Sequence, residues 1–71
     1  MTYYYIEKTV EEYPDKGIST VFITSNRKKA LGKFEGFKEE CSIKRGSREY
    51  ILYEYDTYTE TSKIADRCDD Y

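Results

Sequence analysis

Alternation of side chains at the start of the chain predicts a β-strand over residues 3–12, YYYIEKTVEE. Aromatic and β-branched residues dominate this segment, and these types favour strands. With a period of two, Tyr4 and Ile6 share one face of the strand, whereas Tyr3 and Tyr5 share the other. Both faces of the strand therefore carry tyrosine rings.

A turn and a second strand are expected next. Pro14-Asp15-Lys16-Gly17 has turn composition, because proline presets φ, aspartate can bond its own backbone and glycine supplies a positive φ at the exit. The following segment ISTVFIT, residues 18–24, is rich in β-branched residues. The two strands should form an antiparallel hairpin.

The apolar period then changes to that of a helix, with Ser25 or Asn26 as the expected N-cap. The apolar residues follow one stripe, as in an amphipathic helix that packs on a sheet: Ala30, Phe34, Phe37 and Cys41, with Leu31 at its edge. A competing interpretation ends the helix near Gly36 and makes residues 37–44 a strand. The pattern favours the longer helix, which continues to Cys41.

Residues 44–47 have loop composition, and REYILYEYDT, residues 48–57, predicts a third strand. Its alternation gives one face with Ile51, Tyr53 and Tyr55 and another with Tyr50 and Leu52. This strand therefore also places tyrosines on both faces.

The tail, residues 58–71, is compatible with two structures. It could return as an edge strand over residues 61–67, or Ser62 could cap a short helix. The strand is favoured because a hairpin would cover the edge that the third strand exposes. The expected fold is one α+β domain, residues 1–71, with a small antiparallel sheet and one packed helix in ββαββ order.

Length and composition support a single folded domain. Seventy-one residues, 38% of them hydrophobic, provide for one core. The charged fraction of 37% raises the question of disorder, but nine tyrosines and three phenylalanines argue for a fold. No apolar run approaches the ~20 residues of a membrane span, and the start of the chain has no secretory pattern. The expected location is cytoplasmic, with no membrane partner.

The residue types disfavour an enzyme. The chain has no histidine, its four glycines are scattered, and its two cysteines lie far apart in sequence. These features give no imidazole base, no phosphate loop and no thiolate zinc site, so no catalytic residue, metal or cofactor is predicted. A Cys41–Cys68 disulfide is arithmetically possible, but the cytosol disfavours it, and two buried or idle thiols are expected.

The excess of tyrosine indicates a binding surface. If a helix covers one sheet face, the other face carries rings that no core receives: Tyr3, Tyr5, Tyr53 and Tyr55. Tyrosine brings a large, rigid contact area with a polar tip, so this face would dock a partner or a second copy of the chain. In the alternative interpretation the rings lie across neighbouring strands and only shield the sheet.

The predicted helix offers a second candidate surface, made of cations and glycines: Arg27, Lys28, Lys29, Gly32, Lys33 and Gly36. Glycine on the outer side of a helix lets another chain approach closely, and the cations would steer it. The alternative is a solvated helix end. With 12 basic and 14 acidic residues, the net charge of −2 makes direct nucleic-acid binding the less favoured function.

The layout of the chain resembles that of small bacteriophage proteins that inhibit host defence, including some anti-CRISPR proteins. The resemblance lies in the tyrosine-rich strand pair, the capped helix with Ala30 and Phe34, and the segment YILYEYD, residues 50–56. It implies a non-enzymatic inhibitor in the bacterial cytoplasm that occludes a larger host protein or nucleoprotein complex. The alternatives are a nucleic-acid or nucleotide binder, with tyrosines on bases and Arg27-Lys28-Lys29 on phosphates, and a self-associating domain.

Overall fold

A computed structural model of the chain describes residues 1–11, 16–43 and 48–69. Four strands and one helix occur in these residues: β1 (Thr2–Val10), β2 (Gly17–Thr24), α1 (Arg27–Ile43), β3 (Arg48–Asp56) and β4 (Thr61–Asp69). The predicted α+β fold with ββαββ order is confirmed. Within the described ranges no helix has the length and apolar character needed to cross a membrane.

The strands form one antiparallel sheet in the order β2-β1-β3-β4. The two hairpins are joined through their first strands, so β1 and β3 are central and β2 and β4 are the edges. The predicted edge strand in the tail is confirmed and extends over Thr61–Asp69, and the alternative of a helix capped by Ser62 is wrong. The predicted loop over residues 44–47 and the first two residues of the predicted turn, Pro14 and Asp15, lie outside the described residues.

Helix α1 begins at an asparagine cap. The Asn26 Oδ1 atom accepts a hydrogen bond of 3.1 Å from the Lys29 N–H, and the Asn26 carbonyl accepts one of 3.1 Å from the Ala30 N–H. Side-chain capping of this kind satisfies a backbone donor that the first helical turn leaves without a partner. The helix continues past Gly36 to Ile43, so the longer of the two expected helices is the one observed.

The core lies between α1 and one face of the sheet. Five residues are at most 1% exposed: Ile6, Ala30, Phe34, Tyr50 and Leu52. The helix contributes Ala30 and Phe34, as its apolar stripe predicts, and Phe37 stacks on Tyr50 with ring centroids 4.5 Å apart. Burial of these large side chains is the main stabilising contribution in so small a domain.

Each hairpin contains one register shift. Strand β2 has an extra residue, Val21, between the positions that pair with Ile6 and Glu7 of β1. Strand β4 has an extra residue, Ala65, between the positions that pair with Leu52 and Tyr53 of β3. An extra residue shifts the alternation of the bulged strand by one position. Beyond the bulge, side chains that would have pointed to one face of the sheet therefore point to the other.

Candidate partner-binding surface

The four tyrosines predicted to lie away from the helix share the outer sheet face. In the register Tyr3 pairs with Tyr55 and Tyr5 pairs with Tyr53, so the four rings occupy adjacent positions on β1 and β3. The buried Tyr50 and Leu52 of β3 have the opposite orientation and contact the helix. The structure therefore brings the four predicted tyrosines together on one surface, which we call the outer sheet face.

One transverse row of apolar side chains crosses all four strands on this face. Ile23 of β2 pairs with Tyr5, Tyr5 pairs with Tyr53, and Tyr53 pairs with Ile64 of β4. We call these four residues the Ile–Tyr row. Its two ends are open to solvent, because Ile23 is 65% exposed and Ile64 is 57% exposed.

The centre of the row is held in a fixed geometry. The Tyr5 and Tyr53 rings stack with centroids 4.9 Å apart and an interplanar angle of 18°. The Tyr5 hydroxyl shares a hydrogen bond of 3.0 Å with the hydroxyl of Ser62 on β4. Two aromatic side chains that are already ordered lose little conformational entropy when a partner binds them. The row thus provides a pre-organised apolar contact area.

Acidic groups flank the Ile–Tyr row on one side, towards the end of β1, the start of β3 and the end of β4. The register places three carboxylates and one guanidinium on this part of the face: Glu7, Glu49, Asp69 and Arg67. The Arg67 guanidinium lies 2.5 Å from the Glu49 carboxylate and 3.8 Å from that of Asp69. The pKa of the Tyr53 phenol is raised, chiefly by its burial in the row and next by the charge of Glu7. This part of the outer sheet face is therefore net negative.

The candidate residues on the helix lie on the other side of the molecule. Arg27, Lys28 and Lys29 form the exposed first turn of α1, and that turn contains no acidic residue. Gly32 and Gly36 are exposed, and a Cβ added to either would have no atom within 4 Å. The helical period places Lys28, Gly32 and Gly36 on the side away from the sheet, as predicted.

Lys33 was predicted to belong to the same surface as the glycines, but its side chain lies on the flank of the helix. Its Nζ atom lies 5.8 Å from the centroid of the Phe22 ring and 5.6 Å from that of Phe37. These distances are typical of cation–π contacts, so Lys33 leans along the flank of the helix towards β2. The two predicted surfaces are consequently separate: the tyrosines face away from the helix, and the bare glycines face away from the sheet.

Three exposed isoleucines belong to the outer sheet face and were not predicted: Ile18, Ile23 and Ile64. In a regular strand Ile18 and Ile23 would point to opposite faces, because they are five positions apart, which is an odd number. The extra residue Val21 restores both to the outer face. In β4 the extra residue Ala65 places Ile64 outside although Cys68, four residues on, faces the core. Alternation alone could not have identified these positions.

Two depressions lie on the described surface. One depression of about 150 Å³ is lined by Glu54, Asp56, Thr59, Thr61 and Lys63. It is smaller than the ~300–1,000 Å³ of most small-molecule sites, and its lining is polar. A second depression of about 350 Å³ is lined by Lys8, Val10, Gly17, Ile18 and Ser19. In the described parts of the chain no three cysteine, aspartate or glutamate side chains are placed to hold a metal ion.

Comparison of the chain with protein-family models, with curated proteins and with solved structures finds no match.

Proposed function

We propose that this protein is a non-enzymatic binding module that docks a larger protein through its outer sheet face. The observation that carries the proposal is the Ile–Tyr row, which crosses all four strands and ends in isoleucines that are 57–65% exposed. Tyrosine is enriched among the residues that contribute most to protein binding, and the centre of an interface is apolar and poor in charged residues. The row is contiguous across four strands, and contiguous exposed apolar surface marks interaction sites more often than single exposed residues do.

The dimensions and charges of the face define the kind of partner. The molecule measures 37 × 21 × 15 Å. Its broad face thus approaches the ~800 Å² that each side contributes to an interface of standard size. The carboxylates of Glu7, Glu49 and Asp69 favour a partner with an apolar centre and a basic rim. We therefore propose binding with one-to-one stoichiometry, which acts by occluding the covered surface of the partner.

The resemblance of the chain to phage inhibitors of host defence suggests what is occluded. We propose a bacterial defence complex such as CRISPR–Cas as the target and the bacterial cytoplasm as the location. Nucleic-acid-binding proteins of this class present basic grooves, and such a groove supplies the basic rim that the outer sheet face would complement.

The carboxylates of the outer sheet face also disfavour the two alternative functions, nucleic-acid binding and self-association through this face. A phosphate backbone that stacked its bases on Tyr5 and Tyr53 would lie against the carboxylates of Glu7 and Glu49, which repel it. The Arg27-Lys28-Lys29 cations begin the helix and are not part of the outer sheet face. A second copy of the chain would bring the same carboxylates against each other, which disfavours a homodimer through this face.

A capture experiment with matched variants tests the proposal. The wild-type protein, the double variant Ile23→Lys/Ile64→Lys and the double variant Gly32→Arg/Gly36→Arg are immobilised and exposed to nuclease-treated bacterial lysate. Both variants change exposed positions and add two positive charges, so they are matched in net charge. The proposal expects a stoichiometric protein that the wild type and the glycine variant retain and the isoleucine variant loses.

Other outcomes would replace the proposal. Loss of the captured protein only in the glycine variant would assign binding to the helix. In a parallel capture from lysate without nuclease, recovery of nucleic acid that increases in the isoleucine variant and falls steeply with salt would favour the nucleic-acid binder, because added lysine strengthens phosphate contacts. Self-association at micromolar concentration that is lost in the isoleucine variant would favour the homodimer.

A further inference from the structure

The two cysteines of the chain lie next to each other at the junction of the helix and an edge strand. Cys41 is in the last turn of α1, Cys68 is near the end of β4, and their Sγ atoms are 3.5 Å apart. Both side chains are half-buried at the margin of the core. Because the sequence contains two cysteines in all, each has one possible partner within the molecule.

The position of this pair matters because of how β4 is held. As an edge strand, β4 has a backbone partner on one side only, which is β3. Its contacts with the helix include an ion pair of 2.6 Å between the Lys38 ammonium and the Asp66 carboxylate. A covalent bond between Cys41 and Cys68 would add a permanent link between the helix and this edge of the sheet.

We propose that Cys41 and Cys68 are a redox modification site, at which a reversible intramolecular disulfide forms under oxidising conditions and fixes β4 to the helix. The sulfur atoms need to approach each other by about 1.5 Å to reach bonding distance, which small side-chain rotations provide. The bond closes a loop between residues 27 positions apart, and a loop of this length restricts the unfolded chain strongly. This inference does not depend on the proposed partner binding.

Glutathione disulfide is a sufficient oxidant. The thiolate of one cysteine attacks a sulfur of glutathione disulfide, which gives a mixed disulfide and releases one glutathione thiolate. The thiolate of the second cysteine attacks the cysteine sulfur of that mixed disulfide and releases the second glutathione. The Cys41–Cys68 bond forms, two electrons pass from the protein to glutathione, and the two thiol protons end on two glutathione molecules.

Burial affects the speed of the reaction. Burial raises the pKa of the Cys68 thiol, and the hydrogen bond with Cys41 opposes this rise in part. A raised thiol pKa leaves less of the reactive thiolate at neutral pH, so exchange without a catalyst is expected to take minutes to hours. The disulfide is therefore expected to form under sustained oxidation and not during a brief exposure to the oxidant.

The test uses the full-length wild-type protein, equilibrated for a day in buffers with increasing ratios of oxidised to reduced glutathione. After acid quenching, intact mass spectrometry under non-reducing conditions measures the species formed. The proposal expects a monomer that has lost two hydrogen atoms and carries no glutathione. It also expects this form to melt about 10–20 °C higher than the reduced protein, with the increase reversed by dithiothreitol.

The variants Cys41→Ala and Cys68→Ala serve as controls. Neither can form the internal bond, so oxidised glutathione should raise the melting temperature of neither. Wild-type protein that retained both thiols, carried two separate glutathiones or formed a covalent dimer would overturn the proposal. An internal disulfide that left the melting temperature unchanged would also overturn it, because the bond would then not fix β4 to the helix.

Discussion

Tyr50 and Tyr58 show that the same side chain can have opposite roles in this molecule. Tyr50 is 1% exposed, stacks on Phe37 and belongs to the core, whereas Tyr58 is 89% exposed in the turn before β4. Burial is also the main reason that the pKa of the Tyr50 phenol is raised. The sequence pattern already separates them, because alternation in residues 48–57 places Tyr50 on the same strand face as Leu52 and leaves Tyr58 in the tail.

We expect Tyr50→Ala to lower the free energy of unfolding by about 3–5 kcal/mol, because it removes a buried ring and leaves a cavity. Tyr58→Ala should change it by less than about 0.5 kcal/mol, because its ring is exposed. Chemical denaturation of both variants measures the difference. Similar values for the two would show that Tyr50 does not lie in the core.

The ion pair between Lys38 and Asp66 gives a prediction on pH. The hydrogen bond from the Lys38 ammonium lowers the pKa of Asp66, and burial opposes this effect in part. A carboxyl whose pKa is lower in the folded state stabilises the fold above its ordinary pKa, and this contribution disappears as the pH falls through the lowered value. The stabilisation should therefore be lost in acid and kept at neutral pH.

NMR titration of the Asp66 carboxyl tests this. In Lys38→Met its pKa should move up towards the ordinary aspartate value. The control Lys28→Met, in the exposed first turn of the same helix, should leave it unchanged. An Asp66 pKa that is the same in wild type and in Lys38→Met would contradict the observed contact.

Helix α1 contains residues that reduce its stability without a visible structural reason. Gly32 and Gly36 are exposed, and no atom lies within 4 Å of an added Cβ at either position. Three cations occupy the first turn, where the helix dipole favours acidic residues. Such choices are often retained for function at the expense of stability. The outer side of the helix therefore remains a secondary candidate surface.

Gly32→Ala and Gly36→Ala should each raise the free energy of unfolding by about 1 kcal/mol, because alanine favours the helix and meets no clash. Gly17→Ala is the matched control. Gly17 has a φ of 155°, which other residues rarely adopt, so this substitution should destabilise the protein. Thermal melts of the three variants measure these effects. A destabilising effect of either helical substitution would indicate that the glycines are needed for the fold.

The comparison of sequence and structure is also clearest for individual elements. Hydrophobic period predicted the first four elements, such as the third strand from the alternation in residues 48–57 and the helix from the stripe between Ala30 and Cys41. The strand in the tail was favoured over a helix because it would cover the edge of the third strand. The bulges at Val21 and Ala65 were not predicted, because neither position carries a residue type that signals a bulge. A bulge of this kind is recognised only when two strands are paired. As a result the tyrosines of the outer sheet face were identified, whereas Ile23 and Ile64, which complete the Ile–Tyr row, were not.

The closeness of Cys41 and Cys68 was equally hidden in the sequence. Their contact requires both the long helix and the edge strand, and each of these elements had an alternative at the level of sequence. With the helix ended at Gly36 or the tail helical, the two sulfur atoms would be apart. Long-range contacts of this kind follow from the topology and not from local patterns.

For the whole molecule the two layers create two broad surfaces of different chemistry. The outer sheet face is apolar and acidic, and the outer side of the helix begins with a cationic turn. A molecule 15 Å thick in its smallest dimension has few other places for a protein interface. Whether the outer sheet face is the interface is therefore the central question for this protein.

The affinity of the captured partner for three forms of the protein answers it most directly. Calorimetric titration would compare the wild type, Ile23→Lys/Ile64→Lys and Gly32→Arg/Gly36→Arg, after thermal melts have shown that all three are folded. If the outer sheet face is the interface, the isoleucine variant should bind at least about 30-fold more weakly, the effect of losing an interface hot spot. The glycine variant should bind within about threefold of the wild type. Unchanged affinity of the folded isoleucine variant would contradict the account.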